Sequence, residues 1–98
     1  MKYRSRTEII SGILDIVSHG ATKTKIMYRA YLSYTQLTQY ISFLIENKLI
    51  ERKLGSDFYT LTEKGRRLAT VYKELDEMIP LKKEQEKFSK HEKSLSNV

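Results

Sequence analysis

The sequence predicts a mostly α-helical chain with one small β-hairpin. Three observations carry that expectation. Apolar residues recur at helical spacing in three stretches, from Ile9 to Val17, from Leu37 to Leu44 and from Leu68 to Met78. A Ser or Thr precedes each, where a helix N-cap belongs. Between the second and third stretches, β-prone runs flank "GSD", a Gly-containing turn. With 98 residues the chain is one small domain with a modest core. Apolar content of 40% and charged content of 31% fit a soluble, helix-rich globular protein rather than a disordered one.

Ser5 or Thr7 can cap the first helix, whose apolar residues are Ile9, Ile10, Ile13, Leu14, Ile16 and Val17. "SHG" ends it, with Gly20 in the favoured position after a helix. A short second helix starts after Thr22 and runs through Lys25, Ile26, Met27, Tyr28 and Arg29 until "AYLS" interrupts it. The third helix covers residues 33–47. Its start, "SYTQ", is a capping box: Ser33 accepts from an orphan amide and Gln36 reaches back. Leu37, Tyr40, Ile41, Leu44 and Ile45 form an apolar stripe. At roughly 100° per residue, Thr35, Thr38, Gln39, Ser42 and Glu46 fall on the other side. Phe43 lies between the faces.

Residues 49–54 and 58–61 form the expected hairpin, and Thr62 caps a fourth helix beginning near Glu63. There Leu68, Val71, Leu75 and Met78 step by three, four and three, the spacing of a heptad seam, with Tyr72 and Ile79 beside them. Pro80 should end or kink this helix near Met78 or Ile79. Beyond it the chain is charged, with Leu81, Phe88 and Leu95 seven apart. Residues 1–67 are therefore read as the globular domain, and residues 68–98 as a C-terminal helix with a polar tail.

Composition excludes several chemistries. The absence of Cys removes disulfides, thiolate metal sites and Cys nucleophiles, and an intracellular location is the simpler expectation. The basic-then-apolar start superficially suggests a signal peptide, but Glu8 and Asp15 interrupt it, and no run approaches a membrane span. The two histidines are far apart, the four glycines are scattered, and no carboxylates stand in an acid–base context. No enzyme, cofactor, metal or small-molecule ligand is expected. Gly65 is read as a site of close packing under the hairpin. The net charge of +6 lies entirely within residues 1–67, which hold 12 basic and 6 acidic side chains. That bias suggests a polyanion partner.

Helix, helix, short turn, helix, hairpin and helix is the order of a winged helix-turn-helix. The third helix would then enter a major groove with Ser33, Tyr34, Thr35, Thr38, Gln39 and Ser42 toward the DNA. It carries no Lys or Arg before Lys48. Phosphate contacts need cations, whereas base edges can be read by neutral hydroxyls and amides. The cations surround the helix instead: Lys23, Lys25 and Arg29 on the second helix, and Arg52 and Lys53 in the hairpin. Lys2, Arg4 and Arg6 are read as a basic arm. Limited intrinsic specificity follows, because no Arg fork grips guanine.

"GATKTKIMYRA", "LSY" and "YTLTEKG", across about residues 7–68, resemble the small archaeal winged-helix DNA-binding proteins of the ten-kilodalton, chromatin-associated type known from Sulfolobales. The resemblance implies a DNA binder dimerised by antiparallel pairing of a C-terminal helix, here through Leu68, Val71, Tyr72, Leu75, Met78 and Ile79. It places the reading helix at residues 33–47 and the wing at residues 49–61. Pro80 departs from the pattern of one long helix.

The expected function is binding of double-stranded DNA as a homodimer, in the cytoplasm and associated with the nucleoid. It is either that of a transcription regulator or that of a weakly specific architectural protein. The alternative is a winged-helix protein-interaction module that does not bind nucleic acid.

Overall fold

The structure, a computed structural model, describes residues 4–79. Four helices and three short strands follow in the order α1 (Arg6–Val17), β1 (Ala21–Thr22), α2 (Lys23–Arg29), α3 (Tyr34–Glu46), β2 (Ile50–Arg52), β3 (Phe58–Leu61) and α4 (Glu63–Met78). Each helix begins where a hydroxyl can satisfy an orphan amide. Ser5 accepts from the amide of Glu8 at 3.1 Å, Thr22 from Lys25 at 3.2 Å, Ser33 from Gln36 at 3.2 Å and Thr62 from Gly65 at 2.9 Å. The Ser33 box is closed in both directions, since the Ser33 amide donates to Gln36 Oε1 at 3.0 Å.

The hairpin is not a free-standing pair. Ala21 and Thr22 add a third antiparallel strand, giving the order β1-β3-β2, with Ala21 opposite Tyr59 and Ile50 opposite Leu61. A two-residue strand running straight into a helix has no alternation to betray it. The first hairpin strand is also shorter than residues 49–54. Ladder pairing stops at Arg52, and the chain turns over residues 53–57. The amide of Lys53 still donates to the Phe58 carbonyl at 2.9 Å, closing the base of this tip.

The core is built on α1. Ile13, Leu14 and Val17 are fully buried against Ile26 of α2, Leu37 and Leu44 of α3, and Ile50 of β2. From α4, Leu68, Ala69 and Tyr72 pack partly onto this core. Fully burying one such aliphatic side chain contributes about 1.5–3 kcal/mol, so these contacts outweigh any single surface ion pair. Gly65 lets α4 pass directly under Leu49: a Cβ there would lie 1.8 Å from the Leu49 carbonyl oxygen. That is the close approach the sequence suggested. The helix ends at Met78, with Ile79 extended as its C-cap. Pro80, Leu81, Phe88 and Leu95 lie outside the described residues.

Candidate nucleic-acid interface

The α3 helix buries Leu37, Ile41 and Leu44 and leaves its opposite side in solvent. Ser33, Tyr34, Thr35, Thr38, Gln39 and Ser42 are all exposed, as the helical spacing predicted. Phe43, which the spacing left between faces, is exposed as well. Thr38 donates its hydroxyl hydrogen to the Tyr34 carbonyl at 3.0 Å, so toward a ligand it offers only lone pairs. Gln36 Oε1 is occupied by the capping box. Thr35, Gln39 and Ser42, like the Tyr34 hydroxyl, can both donate and accept on this face.

On α2, Lys25 and Arg29 are exposed and Lys23 is half-buried. Lys23 also ties this helix to the wing, its amide donating to the Asp57 carbonyl at 3.1 Å. In the wing, Arg52 and Lys53 are exposed but not idle. Arg52 Nε donates to the Ser56 carbonyl at 2.6 Å, and Lys53 Nζ stands 5.8 Å from the centre of the Phe58 ring. The wing cations therefore hold the tip in shape and retain further N–H donors beyond these contacts.

Arg4 departs from the reading of a free basic arm. Its guanidinium donates to the carbonyls of Ala30 and Tyr31, the latter at 3.0 Å, and so caps the end of α2 and the turn into α3. A bond across 26 residues leaves no local signature in the sequence. Arg6 lies in the first turn of α1, and Lys2 is outside the described residues. The sequence also lacks any Asp or Glu between residues 16 and 45. The second helix thus has no carboxylate of its own to repel phosphate, and α3 has only Glu46, at its C-terminal end.

The proposed seam of α4 divides. Leu68 and Tyr72 face the chain's own core, whereas Val71, Leu75, Met78 and Ile79 are exposed, Met78 at 81%. At roughly 100° per residue the two sets lie side by side on the helix. A groove between α1 and α4 brings together Glu8, Asp15, His19, Arg66, Lys73 and Asp76. These charges are mixed, and among the described residues no group of three His, Asp or Glu can hold a metal. No helix among them is long and apolar enough to cross a membrane.

An outward-facing α3, a short turn from α2 and a β-hairpin wing define a winged helix-turn-helix. The chain belongs to the winged helix-turn-helix family, whose model matches residues 3–80. It is similar to the uncharacterized protein MJ0287 of the archaeon Methanocaldococcus jannaschii, 39% identical over 77 residues, which span 78% of this chain and 77% of that protein. Among solved structures it resembles Sso10a-2, a DNA-binding protein from Sulfolobus solfataricus, with 25% identity, a TM-score of 0.67 and 97% of each chain covered. It also shares its fold with ZitR of Lactococcus lactis in complex with DNA, at 22% identity and a TM-score of 0.58, covering 99% of this chain and 77% of that one.

Proposed function

We propose that this chain binds duplex DNA as a homodimer, with affinity supplied by its basic frame and only weak sequence preference. The observation that carries the proposal is an exposed α3 face without Lys or Arg, in a chain that carries Lys23, Lys25 and Arg29 on the preceding helix and Arg52 and Lys53 in the wing. The long side chains of α2 and the wing reach the backbone, and Thr35, Gln39 and Ser42 meet base edges from the groove. Without a bidentate Arg, the roughly 1–3 kcal/mol of a good paired contact to guanine is missing, and Gln39 offers the one forked contact, to adenine. The role that follows is non-catalytic: an architectural protein of the nucleoid or a regulator of modest selectivity. The likeness to Sso10a-2 supports the DNA-binding reading.

The exposed half of α4, comprising Val71, Leu75, Met78 and Ile79, is the surface for the second copy, with Leu68 and Tyr72 at its inner border. Fluorescence anisotropy with a random-sequence duplex at two salt concentrations tests the proposal. Binding should weaken steeply as salt rises, because neutralised phosphates release counterions. No binding at low salt would transfer the basic surface to the protein-interaction alternative.

A further inference from the structure

Tyr28, Tyr31 and Tyr34 stand three residues apart across the turn between α2 and α3, and they are 70%, 83% and 66% exposed. Their side chains have no hydrogen bond or ring contact among the described residues. Tyr31 has a φ of 55°, in the left-handed region. That conformation costs a non-glycine residue on the order of 1 kcal/mol or more, and Gly or Asn takes it more easily. Arg4 holds the strained turn by donating to the carbonyls of Ala30 and Tyr31. A bulky ring in that position buries almost nothing, so it adds no packing to offset the strain. Display of an aromatic surface accounts for it better than folding does.

The surroundings select the partner. Lys25, Tyr28 and Arg29 share one face of α2 by their i, i+3 and i+4 spacing. The segment has no carboxylate from residue 16 to residue 45. Cations beside open aromatic rings match a phosphate backbone carrying bases whose faces are free to stack. In a duplex those faces are already covered by neighbouring base pairs. We infer that the Tyr28–Tyr31–Tyr34 turn is a stacking platform for unpaired bases of single-stranded nucleic acid, with Lys25 and Arg29 on its phosphates. This goes beyond the duplex proposal, because Tyr28 and Tyr31 lie off the reading face of α3. Single-stranded DNA and RNA share the chemistry.

The test uses the full chain with labelled oligo(dT) and oligo(U) of about 15 nucleotides, near the upper site size of a small single-strand binder. Since the chain has seven Tyr and no Trp, its intrinsic emission comes from tyrosine, and quenching that the double variant loses reports stacking at the turn. Both oligonucleotides should bind and quench. Equal affinities would assign the platform to bases as such, and a preference for one would name the source. The double variant Tyr28→Ala/Tyr31→Asn should bind them at least about tenfold more weakly, as expected for the loss of two stacked bases, while duplex affinity stays within about threefold. Tyr31→Asn alone should melt at or above the wild-type temperature, because Asn relieves the left-handed turn. Tyr31→Asn alone should also bind single strands more weakly, and that loss, in a protein no less stable than wild type, cannot be blamed on misfolding.

Failure of the wild-type chain to bind either oligonucleotide, under salt at which it binds duplex, overturns the inference. So does a double variant that keeps its single-strand affinity. Binding of single strands without duplex would sink the duplex proposal and leave this one standing, and binding of neither would sink both.

Discussion

At the scale of residues, Gly65 shows how one missing methyl group decides where a helix can lie. The first turn of α4 crosses Leu49 so closely that any Cβ would overlap backbone atoms, which cannot rotate away. Thr62 fastens the same crossing, accepting from the Gly65 amide at 2.9 Å and donating to the Lys48 carbonyl at 2.6 Å. Gly65→Ala must therefore shift α4 against the wing. Overpacking of this kind costs about 1–3 kcal/mol, more where backbone has to move, and it outweighs the roughly 1 kcal/mol that Ala gains over Gly in a helix. The expected outcome is a net destabilisation measurable by urea unfolding. A variant as stable as wild type would mean that α4 does not press on Leu49 in solution.

At the scale of elements, affinity and reading would fall to different segments in the proposed complex with DNA. The α3 helix carries the hydroxyls and amides, while α2 and the wing carry the charge. Replacing Lys23, Lys25 and Arg29 together with Glu should abolish duplex binding in a gel-shift assay while leaving the circular dichroism spectrum unchanged. The three side chains are exposed or half-buried, and none supplies a core contact. Retained binding would show that another face meets the DNA. Most of these elements were legible in the sequence because their causes are local. A Ser33 hydroxyl needs only the amide three residues on, and the α3 stripe needs only helical spacing. The illegible parts are tertiary. The strand of Ala21 and Thr22 exists because β3 is there to pair with it, and Arg4 is spent on a turn 26 residues away. The α4 stripe reads as one seam until the core takes Leu68 and Tyr72 and leaves the rest.

At the scale of the molecule, that remainder is the surface offered to the proposed second copy. Val71, Leu75, Met78 and Ile79 form a continuous apolar strip along the distal half of α4, beside residues already packed on the core. A domain this small gains little from an exposed strip of that kind, whereas a second copy laid against it would bury apolar area at about 25 cal/mol per Å² and extend both cores. Pairing through α4 would also set two α3 helices at a fixed separation, so that one dimer engages two stretches of DNA with a strength neither head has alone. Val71→Asp with Leu75→Asp places two carboxylates in the strip without touching Leu68, Tyr72 or the buried core. By sedimentation the variant should be a monomer with an intact fold, and its duplex affinity should fall by at least about tenfold as the second head is lost. A dimer that survives both charges would place the interface elsewhere on the chain. A monomeric variant with undiminished affinity would show that each winged helix binds DNA independently of its partner.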